Sequence, residues 1–183
     1  MERRTFVGSV ARLTAGFAGL RWSELAAVSA RASGIEATAA YQVLTPEQVR
    51  LLDVVTAHLV PTDDTPGARE AHVVRFIDTA LGTILTDFRE DFLKTLGAFD
   101  EFMSHYRPDG APFLALSPNE QVDALGELER LAPETFGPIR SATMLGMFVH
   151  PEHGGNFRKV GWQLIGYVDQ YSWAPPFGYY DRA

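Results

Sequence analysis

The sequence predicts an all-α protein, an irregular bundle of about five helices joined by long loops, with an N-terminal leader before it and an extended aromatic arm after it. Three observations carry that expectation. Two Thr/Ser-Pro-x-Gln/Glu-type starts, Thr45-Pro46-Glu47-Gln48 and Ser117-Pro118-Asn119-Glu120, have the residues of a capping box with proline at the first helical position. Apolar residues recur every three or four positions from Phe88 to Tyr106. No stretch alternates apolar and polar residues as a half-buried strand would. A chain of 183 residues with 46% hydrophobic content can bury one ordinary core and has no room for two full domains.

The leader comprises residues 1–30. It begins Met1-Glu2-Arg3-Arg4-Thr5-Phe6-Val7 and continues into a moderately apolar stretch to Leu20, the order of an export signal too short to be a stable membrane anchor. Arg3, Arg4 and Phe6 fit the twin-arginine pattern, which addresses proteins exported already folded. The alternative is an amphipathic helix over residues 6–28 belonging to the domain. Residues 31–43, rich in Ala and Ser, read as a linker, and residues 44–156 as the helical domain.

The first helix of the domain opens at Thr45, with Val49, Leu52, Val55 and Leu59 as its apolar stripe, and Pro61 stops it. Pro61-Thr62-Asp63-Asp64-Thr65-Pro66-Gly67-Ala68 is a turn whose side chains can bond nearby amides. Asp63 and Asp64 read as caps of a second helix that starts just after Thr65 and buries Val73, Phe76, Ile77, Ala80, Leu81 and Ile84. The third helix runs from about Asp87 to Tyr106 on Phe88, Phe92, Leu96, Phe99, Met103 and Tyr106. The fourth starts at Ser117 with Val122, Leu125 and Leu128 inward. The fifth spans about Pro133 to Phe148 on Phe136, Ile139, Thr143 and Met147, and a short helix is expected around Trp162 to Ile165. In Gly154-Gly155-Asn156 a tight turn at positive φ is favoured over a backbone nest for an anion.

Residues 157–183 differ in kind. They hold eight of the chain's 21 aromatic residues (Phe157, Trp162, Tyr167, Tyr171, Trp173, Phe177, Tyr179, Tyr180), and Pro175-Pro176 forbids a continuous helix. Disordered linkers are poor in aromatics, so this arm is expected to dock on a partner or to fold back on its own bundle.

Charge and composition exclude several classes. The net charge is -7; residues 1–31 carry five arginines against Glu2 and Glu24, so the rest of the chain is markedly acidic, and nucleic acid is not an expected partner. No cysteine is present, which removes thiolate-ligated iron–sulfur clusters and covalently attached c-type haem. The usual glycine-rich phosphate cradles are missing, and so is a GxSxG elbow. Five histidines (His58, His72, His105, His150, His153) admit a competing reading, a small metal-dependent hydrolase or isomerase using His150, His153 and Asp64, but no HExxH occurs and Pro151 breaks the one close pair. A membrane-anchored adaptor that retains its leader is the other competitor.

Three motifs taken together are more specific. LTPEQ at Leu44 to Gln48, PTDDTPGAREAHVVRFID at Pro61 to Asp78 and HPEHGGNFRKVGWQLIGY at His150 to Tyr167, with Tyr180-Asp181 near the end, resemble the gluconate 2-dehydrogenase subunit 3 family in matching order across most of residues 41–181. The resemblance implies an accessory small subunit that is not catalytic alone and carries no cofactor or metal of its own. FAD is then expected in a large partner of the glucose–methanol–choline type that oxidises a sugar, polyol or glycoside, and a haem-bearing subunit can relay the electrons. It also implies an export escort acting in the bacterial periplasm, near the inner membrane, with membrane contact only through the complex or an uncleaved leader. On this reading the partner interface comprises Asp63, Asp64, Pro66, Gly67, Gly154, Gly155, Asn156, Trp162, Tyr171, Trp173, Phe177 and Tyr180.

Overall fold

The computed structural model describes residues 40–106 and 110–170. The leader with Arg3, Arg4 and Phe6, the linker up to residue 39, and Tyr171, Trp173, Phe177, Tyr179 and Tyr180 of the arm lie outside the described residues.

Among the described residues there are six α-helices and no strand. Helix α1 (Pro46–Leu59) starts as expected: Thr45 Oγ1 accepts from the Gln48 amide at 3.3 Å, and the Thr45 amide donates to Gln48 Oε1 at 2.9 Å. Its buried residues are Leu51, Leu52, Val55 and Thr56, with Val49 and Leu59 packed at the edge of the core.

Helix α2 (Val73–Gly82) begins later than the sequence suggests. Asp63 caps nothing in it: Asp63 Oδ1 accepts from the amide and hydroxyl of Thr65, both at 2.9 Å, closing a local turn. The loop is then tied by Glu70, whose Oε2 accepts from Thr62 Oγ1 at 2.7 Å and from the Gly67 amide at 2.8 Å. Residues 69–72 form turns, and the residue that precedes α2 is a left-handed His72 with no side-chain cap. Asp64 is exposed and lies outside α2, so it does not cap that helix either. The buried face is Val73, Phe76, Ile77, Ala80 and Leu81 as anticipated, with Ile84 beside it.

A single 3-10 turn (Thr86–Phe88) leads into α3 (Arg89–Tyr106), which buries Phe92, Leu96, Phe99 and Met103. After a second 3-10 turn (Phe113–Ala115), α4 (Pro118–Leu131) opens with the Ser117–Glu120 box. Its inward face is Gln121, Ala124, Leu125 and Leu128; Val122, expected inside, is 54% exposed. The buried glutamine explains the rotation. Gln121 Oε1 accepts from His58 Nε2 at 2.8 Å and its Nε2 donates to the Phe113 carbonyl at 3.2 Å, so α1, α4 and the 3-10 turn share one satisfied amide.

Helix α5 (Pro133–Phe148) is the centre of the bundle and packs against α1, α2, α3 and α4. It buries Thr135, Phe136, Pro138, Ile139, Ala142, Thr143, Gly146 and Met147, on more than one side of the helix. Pro138 removes one early helical hydrogen bond, and Thr143 Oγ1 donates back to the Ile139 carbonyl at 2.8 Å. At Gly146 a side chain would press on Val73 and Phe76, so the crossing with α2 is a close one. The short helix α6 (Val160–Leu164) follows two 3-10 turns, Pro151–His153 and Phe157–Lys159.

The last residues of the linker are not loose. Asp78, 2% exposed on α2, accepts the amides of Gln42, Val43 and Leu44 at 2.9, 2.8 and 2.9 Å, which pins the entry of the chain to the bundle. Sequence reasoning did not single out Asp78, because one acid within an amphipathic pattern reads as part of a solvated face.

Candidate functional site

A dense set of hydrogen bonds stands at the C-terminus of α5, where the last carbonyls of a helix need outside donors. Asn156 supplies two of them. Its amide donates to the Gly146 carbonyl at 2.8 Å and its Nδ2 to the Val149 carbonyl at 3.0 Å, while its Oδ1 accepts from the Gly161 amide at 2.8 Å. Trp162 supplies a third, Nε1 donating to the Phe148 carbonyl at 2.9 Å. Asn156 is fully buried and Trp162 is 9% exposed. The loop and α6 are thereby locked onto the end of α5.

The glycines make the approach possible. Gly154 has φ 88° and turns the chain, as the sequence suggests. Gly155 serves differently: it is not at positive φ, but a Cβ there would overlap the Gly146 carbonyl oxygen. Gly161 is held the same way against the Met147 carbonyl. The amides of Gly154 and Asn156 and the Asn156 side chain are all engaged inside the protein, so the triplet serves as a turn and cap in this structure.

These contacts show where the anticipated interface residues sit. Gly155, Asn156 and Trp162 lie inside the chain's own packing and support its surface from beneath. On the outside of the same segment stand Phe157 (43% exposed), Leu164, Ile165, Tyr167 and Val168. Tyr167 packs edge-on against Trp162 with ring centroids 5.1 Å apart. Sequence reasoning placed Phe157 and Tyr167 in the aromatic arm without separating them from the buried Trp162. Asp63, Asp64 and Pro66 are exposed on the α1–α2 loop, and Gly67 is buried because a side chain would strike the backbone of Val60 and Pro61. Hydrogen bonds from Thr65 hold the Asp63 carboxyl below its usual range, and those from Thr62 and Gly67 do the same for Glu70, so both are anionic at neutral pH.

The five histidines are dispersed. His58 is bonded to Gln121, His105 donates from Nδ1 to the Glu101 carbonyl at 2.8 Å, and His72 stacks on Phe157. His150 and His153 have ring centroids 6.1 Å apart, and the Glu152 amide donates to His150 Nδ1 at 3.4 Å. Among the described residues no three His, Asp or Glu side chains converge as metal ligands, so His150, His153 and Asp64 do not form a shared site. None of the described helices is long and apolar enough to cross a membrane.

Residues 46–169 match the family model described as gluconate 2-dehydrogenase subunit 3, a span running from the first helix through the cap and its aromatic surface. The chain belongs to the gluconate 2-dehydrogenase subunit 3 family. The family is that of a subunit of a dehydrogenase complex, which implies a larger catalytic partner. No curated protein and no solved structure gives a significant match. Within this subunit 3 protein, the GGN and GW motifs that carried the resemblance acquire a physical role as the cap of α5.

Proposed function

We propose that the protein is the non-catalytic small subunit, export escort and stabilising partner of a flavin-dependent dehydrogenase of the glucose–methanol–choline type that oxidises a sugar, polyol or glycoside. It contributes the twin-arginine leader with Arg3, Arg4 and Phe6, grips a folded, FAD-loaded large subunit, and the pair crosses into the periplasm together. A haem-bearing subunit then accepts the electrons.

Family membership supports the accessory role, and one structural observation carries the grip. Phe157, Leu164, Ile165, Tyr167 and Val168 are large apolar side chains left 40% exposed or more, gathered within twelve residues on a segment anchored by Asn156 and Trp162. Concentrated exposed apolar surface on a fixed support is the mark of an interaction site. The aromatic residues that follow, Tyr171, Trp173, Phe177 and Tyr180, extend the same docking arm in sequence.

The test co-expresses the large subunit with the full chain and with a form in which Arg3 and Arg4 are both lysine. Flavoprotein activity is expected in the periplasm with the first and in the cytoplasm with the second. Equal periplasmic activity in both cases would remove the escort role.

A further inference from the structure

The four non-glycine residues with left-handed backbone among those described are His72 (φ 57°), Asn156 (46°), Arg158 (55°) and Lys159 (61°). They meet at one place although His72 is more than eighty positions from the others in sequence. The Phe157 amide donates to the Ala71 carbonyl at 3.2 Å, and the His72 ring lies flat on the Phe157 ring, 4.2 Å between centroids and 8° between planes. Left-handed backbone is unfavourable for any residue with a Cβ, and such outliers persist where surrounding contacts over-determine them. Asn156 is accounted for by the cap. The left-handed His72 and Arg158 both have their side chains against the Phe157 ring.

Two ring–cation pairs accompany this stack. The Arg75 guanidinium lies 4.2 Å above the Tyr41 ring, and the Arg158 guanidinium 5.3 Å from the centre of Phe157. Tyr41 and Phe157 are 36% and 43% exposed, and Arg158 is exposed. Burial, together with the nearby charges of Arg75 and Arg158, holds the His72 imidazole below its usual range, so the ring is neutral at physiological pH. Residues 32–183 are strongly acidic overall, which makes this basic and aromatic spot distinctive.

We infer that the exposed Phe157–Arg158 corner, backed by His72, is an anchor for an acidic face of the large catalytic subunit, in which Phe157 enters an apolar socket whose rim carboxylates pair with Arg158. This rests on the proposed grip on a large subunit. Charge complementarity selects the occupant: the exposed Arg158 guanidinium, already laid on the Phe157 ring, is pre-organised for a carboxylate, and aromatic and arginine side chains dominate interface energetics. An anionic membrane fits less well, because a plane of negative headgroups would repel the acidic body around so small a patch.

The test measures binding of the purified large subunit to the full chain and to Phe157→Ala, Arg158→Glu and Arg158→Gly. Glycine suits φ 55° at least as well as arginine, so Arg158→Gly keeps or raises the melting temperature while deleting the guanidinium. Phe157→Ala and Arg158→Glu are expected to weaken binding by roughly 30-fold, the size of a hot-spot loss. Arg158→Gly is expected to weaken it without loss of stability, and to flatten the decline of affinity with rising NaCl. Wild-type protein that binds the large subunit, with all three variants binding equally well, overturns this inference and leaves the proposed grip standing. Wild-type protein that does not bind the large subunit at all overturns both. Binding to phosphatidylglycerol vesicles that Arg158→Glu abolishes, with affinity for the large subunit unchanged, overturns the assignment in favour of lipid.

Discussion

Replacing Asn156 tests how far the end of α5 depends on a single side chain. Alanine there removes the donor to the Val149 carbonyl and the acceptor of the buried Gly161 amide. An amide left buried without a partner costs about 1–3 kcal/mol, and the second hydrogen bond is worth about 1 kcal/mol. Alanine also tolerates φ 46° less well than asparagine, adding about 1 kcal/mol. The expected loss for Asn156→Ala is therefore about 3–5 kcal/mol, a large part of the stability of an ordinary domain. Asn156→Gly loses the same bonds without the backbone penalty and is expected to be about 1 kcal/mol less damaging. Urea unfolding followed by far-ultraviolet circular dichroism reads both values, and with Trp22 and Trp173 replaced by phenylalanine the emission of Trp162 reports whether its ring leaves the Phe148 carbonyl. A loss below about 1 kcal/mol for alanine would refute the assignment of Asn156 as the cap, since one unsatisfied amide alone exceeds that.

Two further outcomes follow from the buried acid and the stacked histidine. Asp78→Ala strands three amides at the chain entry and is expected to cost about 2–4 kcal/mol; native-state hydrogen exchange should show Gln42, Val43 and Leu44 exchanging much faster, and unchanged protection would contradict the clamp. For His72 the folded-state pKa lies below the unfolded one, so its contribution to stability is complete above about pH 6.5 and is lost as pH falls through the folded value. His72→Asn keeps a residue tolerant of left-handed backbone and removes the titration, so the decline in melting temperature on acidification from neutral pH should become shallower, and an unaltered acid limb would exclude His72 as its source.

What sequence reasoning could reach was set by the range of the interactions. Both capping boxes and the Phe92–Leu96–Phe99–Met103 stripe depend on residues three or four apart, and the structure has them as read. Val122 was placed inside because valine is the more apolar of two adjacent residues, yet Gln121 faces inward to serve His58, sixty-three positions away. The start of α2 was read from Asp63 and Asp64, whereas it is settled by Glu70 closing the loop and by His72 stacking on Phe157. At the candidate site the GGN and GW motifs were legible as a unit, and the turn at Gly154 was expected. That Asn156 faces inward and Phe157 outward depends on the carbonyls of α5, which no local pattern reveals.

The cap of α5 makes completion of the bundle and presentation of its surface a single event. A nascent chain ending before residue 156 lacks both the donors that cap the central helix and the ring that stacks on His72, while one that has reached Trp162 contains both sets of groups. Under the proposed role, a partner that recognises this end of the molecule would engage only finished copies. Proofreading of the escort would then need no separate inspector.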